Sequence, residues 1–146
     1  MYIASWEQGT AANGILEIDD EGYSVFARSP FASHGQPTST LQLALSAVVR
    51  QTSDGRLSEN YDININAKPK DGSALDGASA GPAVLLGTFA PNPREQSYWE
   101  DAVDKELNYL LTQVPRTSTG ALSHRTHTSQ YWWVWPVLYW IKFQCF

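Results

Sequence analysis

The chain lacks most of the residue patterns that mark common chemistries. It has one cysteine, Cys145, at the penultimate position, so no internal disulfide framework is expected. No Asn-x-Ser/Thr acceptor occurs. The start, Met1-Tyr2-Ile3-Ala4-Ser5-Trp6-Glu7, has no basic segment followed by an apolar run, so no secretory leader is read there. The expected location is cytoplasmic, with secretion open to a chain that has further residues upstream. Lys and Arg number 10 against 15 Asp and Glu, and no basic run gathers them, so nucleic acid is not an expected partner. There is no Gly-rich phosphate loop, no Gly-x-Ser-x-Gly elbow and no Cys/His nucleophile pair. The longest apolar stretch, 131–143, contains Pro136 and Lys142 and falls short of the ~20 apolar residues a bilayer span needs.

What remains is a globular composition. Hydrophobic residues make up 42% and charged residues 17% of 146 residues, enough for one domain with a real core. Four stretches read as helices. The first, 2–18, carries its bulk at Ile3, Trp6, Ile15, Leu16 and Ile18. It also keeps Gly9 and Gly14, which cost helix propensity and imply a close neighbour or ligand. The second, 38–51, places Leu41, Ala44, Leu45, Val48 and Val49 on one face, with Thr38, Ser39 or Thr40 as cap after Pro37. The third, 73–89, is apolar on most sides and has Pro82 inside it, as a kink or the true start. The fourth, 94–114, has the stripe Trp99, Val103, Leu107, Leu110, Leu111 and Val114 and stops at Pro115. The Asn/Asp-rich loop 58–72 contains Ile63-Asn64-Ile65, a candidate edge strand. No strand-helix-strand alternation appears, so the expected class is all-α, built of helical hairpins.

Three segments combine residues suited to chemistry. In Trp6-Glu7-Gln8-Gly9-Thr10 an indole stands beside polar side chains, a pairing that suits a pyranose; the alternative is a core tryptophan beside a surface glutamate. Asp76 stands in the small, apolar run Leu75-Asp76-Gly77-Ala78-Ser79-Ala80-Gly81. Desolvation there raises a carboxyl pKa toward acid-base use; the alternative is a helix cap. The polar loop 115–127 offers Arg116, His124 and Arg125 to an anionic ligand, since an Arg fork bonds both oxygens of a carboxylate; the alternative is an ordinary solvated loop. His124-x-x-His127 has no acidic or thiol companion, so no metal and no cofactor is expected.

Taken in order, Trp6-Glu7-Gln8-Gly9, Leu75-Asp76-x-x-x-x-Gly81, and Gly120-Ala121-Leu122-Ser123-His124-Arg125 followed by Gln130-Tyr131-Trp132 resemble the six-hairpin glycosidases. The likeness is greatest to the unsaturated rhamnogalacturonyl and glucuronyl hydrolases, glycoside hydrolase families eighty-eight and one hundred and five. It covers residues 1–132 and implies part of an (α/α) barrel, a toroid of six helical hairpins. It further implies hydration of the vinyl ether double bond in oligosaccharides left by pectin and rhamnogalacturonan lyases, in place of the usual two-carboxylate displacement. Asp76 then matches the family's first active-site aspartate and His124 a substrate-binding histidine. Trp6 and Gln8 would line the pocket, and Arg125 would bind substrate beside His124.

Beyond Trp132 the likeness stops. The family continues with an aspartate that acts as general acid/base, whereas here no aspartate follows Asp104. Four of the six tryptophans crowd between Trp132 and Trp140, so 133–146 reads as an aromatic tail foreign to the family. The expectation is therefore a truncated barrel with impaired activity. Its open flanks would promote self-association. The alternative functions are an inactive fragment or interaction module, and another helical-ring sugar enzyme such as an epimerase.

Overall fold

The computed structural model describes residues 5–19, 21–24, 37–57 and 73–125. Among them are four α-helices and no strand: α1 (Ser5–Asp19), α2 (Thr38–Val48), α3 (Gly81–Gly87) and α4 (Pro93–Thr112). Two 3-10 turns, Glu21–Tyr23 and Asp76–Ala80, complete the elements. The all-α class is as expected. The candidate strand at 63–65 and the aromatic tail lie outside the described residues.

Each helix has a local cause. α4 is the best specified. Pro93 occupies its first turn, where a missing N–H costs nothing, and the Asn92 side chain accepts the N–H of Arg94 at 3.0 Å. α2 begins one residue after Pro37, whose carbonyl accepts the N–H of Leu41 at 2.9 Å. No side chain caps α2, so Thr38, Ser39 and Thr40 are helical residues instead of caps. The expected third helix is split in two. A 3-10 turn runs from Asp76 to Ala80, and α3 starts at Gly81 with Pro82 in its first turn. Proline has no N–H to give to an upstream carbonyl, so the α-helix starts there.

α1 packs on α2 and on the Asp76–Ala80 turn, while α3 packs on α2 and α4. One core runs through the layers: Ala12 and Leu16 of α1, Leu41, Ala44 and Val48 of α2, Val84 of α3, and Trp99 and Val103 of α4. The buried stripe of α2 is rotated from the expected one. Leu45 and Val49 are exposed, and Thr40 and Ala47 are buried in their place. α1 buries its small face, Gln8, Gly9 and Ala12, and leaves Trp6 and Ile18 exposed. A Cβ on Gly9 would collide with the side chain and backbone of Ser79. This glycine thus permits the close helix-to-turn approach that its sequence context implied, whereas Gly14 meets no close neighbour among the described residues.

A second, smaller core seats the candidate site. Ala74, Leu75 and Ala78 pack against Tyr109, Leu110 and Val114 at the end of α4. The turn that carries Asp76 therefore has an apolar underside and an open upper side.

Candidate active site

Two strips of chain meet above that second core. Ser73 and Arg125 form an antiparallel bridge, and Ala74 donates its N–H to the carbonyl of His124 at 2.7 Å. The contact brings His124 Nε2 to 3.5 Å from Asp76 Oδ1. The Asp76 and His124 side chains keep 21% and 23% of their exposure, so both are open to a ligand. Asp76 is not a helix cap. The N–H of Asp76 goes to Ser73 Oγ at 3.1 Å, and the residue at the N-cap position, Leu75, has no side-chain cap to offer. Ser73 thus takes the part foreseen for Asp76 and leaves its carboxylate to face the imidazole.

Trp6 approaches the same turn from α1. Ser79 Oγ donates to the Asp76 carbonyl at 2.7 Å and lies 3.4 Å from the Trp6 carbonyl. The indole is 49% exposed, which removes the core-anchor alternative. Gln8 is placed differently. It is buried, and its Nε2 donates to the Leu43 carbonyl at 2.9 Å and to Ser46 Oγ, so the amide nitrogen ties α1 to α2. Arg125 is exposed next to His124, and its N–H points to Ser123 Oγ at 3.3 Å. Arg116 is spent on its own loop, donating to Gly120 O at 3.1 Å and reaching Leu111 O at 3.4 Å. His127 lies outside the described residues. Among the described residues no group of three His, Cys, Asp or Glu gathers as a metal site.

Beneath the site lies a charged cluster that was not anticipated from the sequence. Glu106 is 1% exposed and faces inward from α4. Its Oε2 accepts the N–H of Leu57 at 2.7 Å, and its Oε1 has no partner among the described residues. Burial pushes this carboxyl up to about 8, against the opposing pull of the Leu57 N–H and the Arg56 charge. Arg56 bonds Asp54 with Nε at 3.0 Å and Nη2 at 2.8 Å, and lies 5.0 Å from the Tyr109 ring centroid. Burial alone would raise Asp54, but its bonds to Arg56 and Thr52 and the Arg56 charge outweigh that and lower it. Burial also pushes Tyr109 up to about 12. A signal for Glu106 existed: Val103 precedes it by three residues and Leu110 follows it by four, which puts it on the buried face of α4.

A cleft of about 460 Å³ opens between the end of α2 and the outer side of α4. Its two glutamines brace the joint, while Lys105 is paired within α4. Gln51 Nε2 donates to Gly55 O and Ala102 O, Gln113 Nε2 to Asp54 O, and Lys105 pairs with Asp101 at 2.5 Å. The cleft is a braced seam between elements, remote in its lining from Asp76 and His124. No helix among the described residues is long and apolar enough to cross a membrane. No family model, curated protein or solved structure matches the chain.

Proposed function

We propose that this chain carries the site of a glycoside hydrolase acting on unsaturated uronyl oligosaccharides, within part of a ring of helical hairpins. The observation that carries the reading is the meeting of Asp76 and His124 at 3.5 Å, from two segments whose motifs resemble that family. Two further features support it. Trp6, whose backbone carbonyl lies 3.4 Å from Ser79 Oγ of the same turn, has an exposed indole, a flat apolar face of the kind that suits a sugar ring. Arg125, exposed beside His124, suits the uronic acid carboxylate.

The pair provides a balanced route. Asp76, as the acid, gives its proton to the alkene carbon of the vinyl ether. Water adds to the neighbouring ether carbon, and His124 takes the proton that the water gives up. The hemiketal then opens: the bond from its carbon to the ring oxygen breaks, and that oxygen takes up the hemiketal hydroxyl proton to leave a hemiacetal at the anomeric carbon. The bond from that carbon to the leaving sugar oxygen then breaks, as that oxygen departs with the hemiacetal hydroxyl proton. The imidazolium returns its proton to Asp76 across the short gap between them. In this reading His124 takes over the acid/base work that the family assigns to an aspartate absent after Asp104.

The test is the loss of ultraviolet absorbance of an unsaturated rhamnogalacturonan disaccharide incubated with the purified chain. Turnover that falls at least about a hundredfold in Asp76→Asn and in His124→Ala supports the reading, as expected for loss of a general acid or base. A folded chain with no turnover favours the second reading, a non-catalytic helical module. That reading has the missing aspartate in its favour.

A further inference from the structure

The segment that carries Asp76 leans on α1 and on the end of α4, but it is short and irregular. It is a 3-10 turn entered three residues after the bridge residue Ser73, and such turns have poorer hydrogen-bond geometry than an α-helix. Its partner, the 123–125 strip, belongs to a loop. Yet a 3.5 Å pair requires both strips to be fixed to within a fraction of an ångström. Something rigid behind them must set their place.

The short segment Arg56–Leu57 supplies that hold, and α4 supplies its anchor. Arg56 Nη1 donates to the Ser73 carbonyl at 2.8 Å, in a fully buried bond. Ser73 in turn accepts the Asp76 N–H on its Oγ, and its neighbour Ala74 bonds the His124 carbonyl. One guanidinium therefore governs the residue from which both halves of the pair are held. Its other nitrogens bind Asp54, and its plane lies over Tyr109 of α4. Leu57 makes the second contact. Its carbonyl lies so close to Gly77 that a Cβ there would overlap it. Its N–H is fixed by the Glu106 carboxyl at 2.7 Å.

We infer that Arg56 and Glu106 are positioning residues for the Asp76–His124 pair: from behind, they grip the strip that bears Asp76 and set its distance to the imidazole. Neither touches the open face of the site. The inference about distance stands on the geometry alone; its catalytic meaning rests on the hydrolase reading above.

The experiment is nuclear magnetic resonance on the full chain, reading the nuclear Overhauser cross-peak between the His124 ring protons and the Asp76 β-protons. Amide exchange in α1 and α2 is read in parallel as a check of the fold. In Arg56→Met and in Glu106→Leu the cross-peak is expected to vanish while α1 and α2 stay protected. Glu106→Gln keeps an acceptor for the Leu57 N–H, so it is expected to retain the cross-peak. A cross-peak of full intensity in both Arg56→Met and Glu106→Leu overturns the inference. If Arg56→Met fails to fold, Arg56→Lys decides: an ammonium lacks the planar fork whose three nitrogens bond Asp54 twice and Ser73 once, so the cross-peak weakens, and full intensity overturns the inference. Turnover gives the independent arm. Loss of position lowers kcat by roughly tenfold to a hundredfold with KM within about twofold. An inactive wild-type chain whose cross-peak responds as described refutes the hydrolase reading and leaves the positioning role standing.

Discussion

Replacing Glu106 by glutamine should remove a pH dependence that this one residue imposes on stability. The carboxyl is 1% exposed in the folded chain and ordinarily ionised in an unfolded one. Burial raises it from 4.5 to about 8. A group raised in the folded state contributes fully below its unfolded value, and that contribution is lost as pH rises through the folded value. Between about pH 5 and about pH 8 the unfolded chain releases a proton that the folded chain retains, so stability falls with a slope near 1.4 kcal/mol per pH unit. Across the window the loss from this residue is about 4 kcal/mol, a sizeable part of a small domain's stability. Glutamine still accepts the Leu57 N–H, but its amide NH2 needs a partner where Glu106 Oε1 has none among the described residues. The neutral carboxyl already has an unpartnered O–H at that place, so the second amide hydrogen adds only about 1 kcal/mol, and that cost does not change with pH. The assay is urea unfolding of both chains at intervals from about pH 5 to about pH 9. The difference between the two curves, not either curve alone, isolates Glu106 from the other acids. Below about pH 5 the glutamine chain should be the weaker, and the gap should close or reverse by about pH 9. Parallel curves across that range would refute the account of a buried, neutral Glu106.

Three further outcomes follow from the packing. Gly9→Val should cost about 2–3 kcal/mol in chemical denaturation, because its side chain meets Ser79, while Gly14→Ala, with open space around it, should stabilise α1 by roughly 0.5–1 kcal/mol. Trp6→Ala should weaken disaccharide binding about tenfold by calorimetry and leave the melting temperature nearly unchanged, since the indole is exposed. Ile18, Phe89 and Leu111 are exposed large hydrophobics, so the sedimentation coefficient should rise with protein concentration; a constant value would count against self-association.

Much of the helical frame could be read from periodicity. The fourth helix matched closely in its bounds because its Asn-Pro start and long apolar stripe agree with one another, but Leu111, expected in that stripe, faces outward. The rotated face of α2 could not be foreseen, since Thr40 and Ala47 are buried only because α1 and α3 lie on that side. Pro82 marked the start of α3 in the sequence, but the 3-10 form of the residues before it depends on the second core. At the site, the approach of Asp76 to His124 was implied only by family likeness, because no local pattern joins segments so far apart. The commitment of Gln8 to α2 and of Arg116 to its own loop was illegible for the same reason: side-chain partners come from tertiary contacts. Asp54, Arg56 and Glu106 were missed because two of them stand in a turn that reads as solvated.

The bridge between the 73–76 strip and the 123–125 strip also bears on how the chain folds. It closes a loop that encloses all of α3 and α4, so its entropic cost falls due only when those helices are already in place. Local contacts such as the α3–α4 pair form early, and contacts between distant segments form late. By that ordering the Asp76–His124 pair belongs with the later contacts. Protection of the Ala74 amide, whose N–H bonds the His124 carbonyl, followed during refolding, would report arrival at the finished structure, whereas the far-ultraviolet helix signal would report only the earlier stages.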